Sequence, residues 1–244
     1  MRTSNPALND STFNTYAVAG EETMTIKGTV NKSFILIALV FSTALLSWDF
    51  ITKLDGGIIY VIASAVIALI VGLITSFKPT WAPYTAPAYA LFEGVFLGAI
   101  SGFIDSKYPG IAIQAVLLTC GTFLCLLLAY RSGLIKATEN FKLGIVAATG
   151  AIGLIYLASF ILGFFGIQIP YIHGNGVFGI IFSVVVVVIA ALNLVLDFDF
   201  IEQGAERGAP KYMEWYASYG LLVTLVWLYI EILKLLMKLA SRRD

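Results

Sequence analysis

Charge is what this chain has least of. Only 12% of its 244 residues are charged, where a soluble domain carries about 25%. Basic and acidic residues balance at 15 each, so the formal net charge is zero and the electrostatic footprint of a nucleic-acid binder is missing. Histidine occurs once, as His173 in YIHGNG, with no cysteine or second histidine beside it, which argues against a zinc site. The two cysteines, Cys120 and Cys125, share one apolar run. Their spacing puts them on different helix faces, so neither a disulfide framework nor a thiol site is implied. There is no Ser-His-Asp set, phosphate loop or dinucleotide motif. The expectation is a protein that is not an enzyme and requires no cofactor. Residues 1–30 are polar and lack the charged-then-apolar order of a signal peptide. They read as an uncleaved tail ahead of a bundle spanning 31–244.

What is there is oil. Hydrophobic residues make up 59% of the chain, with a mean hydropathy of +0.89. A run of about 20 apolar residues at 1.5 Å each crosses about 30 Å of hydrocarbon. Seven runs qualify, at roughly 32–48, 57–77, 86–104, 110–130, 143–165, 177–200 and 214–239. They lack the alternation of barrel strands. The fold class is therefore an all-α membrane protein of seven transmembrane helices. With seven spans the termini lie on opposite sides. The side holding Arg2, Lys27, Lys32, Lys78 and the 131–142 and 201–213 loops is the more basic, nine residues against six. The positive-inside rule then puts the N-terminus in the cytoplasm, although the basic C-terminal end pulls the other way.

Acids set into such runs are expensive, about 2.5–3.5 kcal/mol at a helix centre on insertion scales, and are functional candidates for that reason. The third run carries Glu93 in LFEGVFLGAISGF, one turn after Tyr89. Gly94, Gly98 and Gly102 repeat there every four residues, the spacing of a close packing groove. The sixth ends in LNLVLDFDFIEQGAE. Asn193 and Asp197 share one face, and Asp199 and Glu202 another. Glu202 and Glu206 read as a solvated helix end. All these acids sit at a C-terminus, against the macrodipole, so the cluster needs cations, protons or hydrogen bonds from elsewhere. The seventh run opens on Glu214-Trp215-Tyr216, an acid suited to a first turn and two interface aromatics. Gly220, Thr224, Trp227 and Glu231 form one stripe, continued by Lys234 and Lys238. Lys234 stands three residues past Glu231, where a local ion pair forms.

Three segments carry a resemblance: SNPAL at Ser4 to Leu8, APAYALFEGVFLGAIS around Glu93, and LDFDFIEQG…GAPKYMEWY…LLVTLVWLYIEILKLL. With these the chain resembles the transmembrane Bax inhibitor motif family, in its bacterial YccA-like branch, over essentially its whole length. The resemblance implies two groups of three helices around a central seventh, in a bacterial plasma membrane. It implies a pH-sensitive calcium leak gated by two acids, one late in helix six and one in helix seven. Asp197 with Ile201 matches the first context, and Leu228-Tyr229-Ile230-Glu231 the second. Asp197 and Glu231 are thus the candidate ion pathway, pH sensor and calcium site, with Glu93, Asp199, Glu202 and Glu214 as secondary pathway acids. Two like charges in a low dielectric titrate as a coupled pair. A shared proton would hold helices six and seven together, and its loss would expose oxygens of the kind calcium takes. The partners expected are the bilayer, calcium and protons. Two departures stand out. Glu231 replaces an aspartate, and the second run has no arginine to latch the pair. The alternative is a membrane-embedded regulator of a membrane protease or stress response, acting through the tail and loops.

Overall fold

A computed structural model describes residues 22–50, 57–166, 174 and 176–242. Ser4 to Leu8, most of the polar N-terminal segment, and His173 lie outside the described residues. Seven long helices follow one another: α1 Ile26–Phe50, α2 Gly57–Phe77, α3 Ala82–Lys107, α4 Ile111–Arg131, α5 Glu139–Phe164, α6 Val177–Glu206 and α7 Met213–Ala240. Each is long and apolar enough to cross a membrane, and no strand occurs among the described residues. The protein is an integral, multi-pass, all-α membrane protein.

The packing is that of a protein whose solvent is lipid. On α2 the buried residues are Gly57, Ser64, Ala68, Gly72 and Thr75, while Ile58, Ile59, Tyr60 and Leu69 are exposed. Small residues inside and large apolar ones outside reverse the pattern of a soluble helix. In lipid there is no hydrophobic gain from burying leucine, so close backbone approach decides which face turns inward.

Two helices run beyond their apolar runs. The first starts at Ile26 rather than 32, because the Glu214 carboxylate and the Thr25 hydroxyl accept hydrogen bonds from backbone N–H groups at its head. The sixth continues past 200 to Glu206. Its acidic end is held along one face, where the Gln203 side-chain amide donates to Asp199 and Arg207 donates to Gln203 Oε1 at 3.1 Å. Asp197 therefore lies well inside a helix rather than at its end. The third run is entered through a short 3-10 turn, Pro79–Trp81. At the α3–α4 junction Gly110 takes φ +86°, a left-handed turn that glycine adopts at little cost, and its N–H bonds Asp105 Oδ1 at 2.8 Å.

The chain forms two compact units. One contains α1, α2 and most of α3, with Asp199–Leu222. The other contains α4, α5 and most of α6, with the stretch from Val223 onward. Each three-helix group thus packs with one half of α7.

Candidate functional site: carboxylates on and against helix α7

In the unit built on α4, α5 and α6, two acids stand at different levels of α7. Glu231 is 1% exposed. Its Oε2 accepts from the Tyr156 hydroxyl of α5 at 3.0 Å, and its Oε1 from Lys234 Nζ at 2.7 Å. Lys234 also lies over the Tyr156 ring, 4.8 Å from the centroid. The three side chains thus form a closed set, with the lysine supplied from the next turn as the spacing predicts. One turn further, Lys238 donates to the Gly179 carbonyl at 3.0 Å and to Ser183 Oγ at 2.9 Å, both at the start of α6. Glu231, Tyr156, Lys234, Lys238 and Ser183 line a cavity of about 790 Å³.

Asp197 is hydrogen-bonded to the Thr224 side chain. Its Oδ2 is sealed from solvent and has no partner among the described residues. Thr224 precedes Glu231 by seven residues, about 10.5 Å along a helix. In this structure no hydrogen bond joins Asp197 to Glu231. Both oxygens of Glu231 go to Tyr156 and Lys234, and the bond of Asp197 goes to Thr224. The two acids border the same half of α7, each with its own hydrogen-bond partners. Asn193, one turn before Asp197, donates to Thr149 Oγ1 of α5 at 2.9 Å. The Asn193–Asp197 face is therefore polar and turned inward.

The secondary acids belong to the other unit. Glu93 is buried and hydrogen-bonded to Tyr89 on its own helix. The Tyr89 ring meets that of Tyr219 edge-on at 5.1 Å, and the Tyr219 hydroxyl donates to the Gly72 carbonyl at 2.9 Å. The glycines after Glu93 form the expected groove. A Cβ on Gly94 would stand 2.5 Å from the Val40 carbonyl oxygen, and one on Gly102 2.5 Å from that of Trp48. Glu202 and Glu206 are exposed, as a solvated helix end should be.

Glu214 is a structural hub. Its side chain is 0% exposed. Oε1 accepts from the Thr25 N–H at 3.0 Å and the Thr25 hydroxyl at 2.9 Å. Lys32 Nζ pairs with Oε2, and Lys211 Nζ stands 3.2 Å from Oε1. The segment before α1 is also tied to the α6–α7 loop through its backbone, Met24 N–H to Ala209 at 2.7 Å and Lys211 N–H to Glu22 at 3.1 Å. The hydrogen bond to Glu214 is the main cause that raises the Lys211 ammonium above its ordinary value. That tie is therefore complete below the ordinary lysine range and is lost only as pH rises through the folded value.

Cross-helix partners are what the sequence does not disclose. Tyr156 stands 75 positions from Glu231, and no periodicity links them. Lys32 looks like one more basic residue at a span end. Among the described residues no group of three or more metal-ligating side chains converges.

The family profile described as Bax inhibitor 1 like matches residues 5–241. No curated protein and no solved structure matches the chain.

Proposed function

This chain belongs to the Bax inhibitor 1 like family, and from that premise we propose that it is a proton-sensitive cation leak, calcium being the permeant ion, with Asp197 and Glu231 as two successive stations. One observation carries the reading. Two carboxylates are buried against one half of α7. One has an oxygen with no partner among the described residues, and the other faces a cavity of about 790 Å³ under the hold of a single lysine. A buried anion with an unsatisfied oxygen is costly, and a hard cation or a proton relieves that cost. Protons and calcium would therefore compete for the same oxygens. In the latch position Lys234 stands in for the arginine that the second helix lacks. Its ammonium neutralises Glu231 locally, and Glu231 must leave it to meet a passing ion. Protonating both acids removes the charge that draws cations, so flux should fall as pH falls. We further propose a bacterial plasma membrane with the N-terminus in the cytoplasm, on the basic-residue asymmetry. The reading assigns no catalytic step.

The test is calcium flux into proteoliposomes. Asp197→Asn and Glu231→Gln should each cut flux roughly tenfold, about 1.4 kcal/mol on the barrier, and flatten its pH dependence. If both variants kept wild-type flux and a wild-type pH profile, the carboxylates would be packing residues and the conduction reading would be wrong. Thr224→Val asks a narrower question. It deletes the hydroxyl bonded to Asp197 while keeping shape, and should shift the pH profile without changing that of the Asp197→Asn background.

A further inference from the structure

We propose that the cavity beside Glu231 is a binding site for the phosphate headgroup of an anionic membrane lipid. Its place in the fold sets its depth. The wall includes Phe164, the last residue of α5, and residues in the last turns of α7, where Lys238 reaches the first turn of α6 at Gly179. Span ends lie at the level of lipid headgroups. The lining is divided by chemistry. Lys234 and Lys238 bring ammonium groups on successive turns, Tyr156 and Ser159 bring hydroxyls, and Phe160 and Phe164 supply an apolar wall. Two cations and one carboxylate line the cavity, and that carboxylate is already bonded on both oxygens. The balance suits a monoanion better than a cation. A volume of about 790 Å³ falls within the 300–1,000 Å³ of ordinary ligand pockets.

A second, independent feature points to a ligand. The Ser159 hydroxyl is buried on the cavity wall and has no partner among the described residues. A helical serine facing hydrocarbon ordinarily returns its proton to a carbonyl one turn back. Ser64, Thr75 and Thr119 bond backbone carbonyls in this way, and Ser159 does not. Rotation about its χ1 would turn that hydroxyl to the cavity, where a phosphate oxygen would accept its proton. Lys234, with its side chain 44% exposed, has three protons to give, one of which goes to Glu231. A phosphate and Glu231 would then share or compete for the same ammonium. The site shares Glu231 and Lys234 with the proposed conduction path, but lipid occupancy reads it independently of flux.

Native mass spectrometry of the full chain in detergent tests it, with added phosphatidylglycerol or phosphatidylcholine of identical acyl chains and with inorganic phosphate as competitor. Phosphatidylglycerol should bind at least about tenfold more tightly than phosphatidylcholine, a difference of about 1.4 kcal/mol. The choline cation would meet the two lysines. Lys234→Gln and Ser159→Ala should each weaken that binding, while Glu231→Gln, which removes the competing carboxylate, should tighten it. The opposite sign for Glu231→Gln separates a lost site from a lost fold. Equal binding of the two lipids, displacement by inorganic phosphate at matched concentration, or no response to Lys234→Gln in folded protein would each overturn the assignment.

Discussion

Replacing Glu214 with alanine should be severely destabilising. The carboxylate is fully buried and accepts from Thr25 twice, from Lys32 and from Lys211. Removing it strands the Lys32 ammonium, whose side chain is only 18% exposed, and leaves the Thr25 N–H at the head of α1 without its acceptor. Breaking a buried pair by deleting one partner costs about 3–5 kcal/mol, because the other charge stays behind. Glu214→Gln keeps the shape and one acceptor, so it should fall between alanine and wild type. Lys211→Ala should cost little, since that ammonium is the exposed member of the set and water replaces its bond. Lys32 lies 5.6 Å from the centre of the Trp215 ring, so tryptophan fluorescence during thermal unfolding in detergent, with the other three tryptophans replaced by phenylalanine, reads this locus. If Glu214→Ala melted with the wild type, the hub would be a crowd of neighbours with no energetic weight.

The hub explains why the start of α1 could not be placed from the sequence. Residues 26–31 read IKGTVN, which apolar periodicity treats as tail. Their helical state is secured by an acid almost 190 positions away. Gly28 belongs to the same arrangement, because a Cβ there would stand 2.5 Å from Glu214 Oε2. By contrast α2 ends at Phe77, where its own apolar run ends. Composition determines spans where lipid alone decides them, and fails where a cross-chain hydrogen bond extends them.

The candidate site divides along the same line. The Glu231–Lys234 pair was legible, because a spacing of three is a property of one helix. Its Tyr156 partner was not, nor was the bond from Asp197 to Thr224. Thr224 and Glu231 do share a stripe on α7, but the stripe says only that both face inward. It does not say that Asp197 bonds Thr224, seven residues before Glu231. The expectation of two acids holding one proton came from the family resemblance, and the structure gives each acid its own hydrogen-bond partners. Under the proposed leak, two sites in series would let an ion be handed on, each weak enough to release it.

The glycine groove on α3 should be nearly as sensitive as the hub. A Cβ at Gly98 would stand 2.6 Å from the Ala44 Cα of α1, closer than any real contact. The clash is with backbone, which has no rotamer to change. Gly98→Val must therefore push α1 and α3 apart along a seam that Gly94 and Gly102 hold closed on either side. Overpacking a rigid contact costs about 1–3 kcal/mol and sometimes more. The seam is expected at the upper end, since in lipid no hydrophobic gain offsets the lost backbone contact. Gly121→Val on α4 is the matched control. A Cβ there meets nothing within 4 Å, and valine should be tolerated with no drop in melting temperature. Glu93 sits beside the seam at Gly94, so separating the helices would also let water or lipid reach a buried acid that is bonded to Tyr89. Gly98→Val should therefore lower the melting temperature. If Gly98→Val and Gly121→Val melted alike, close approach along this groove would not be what holds α1 to α3.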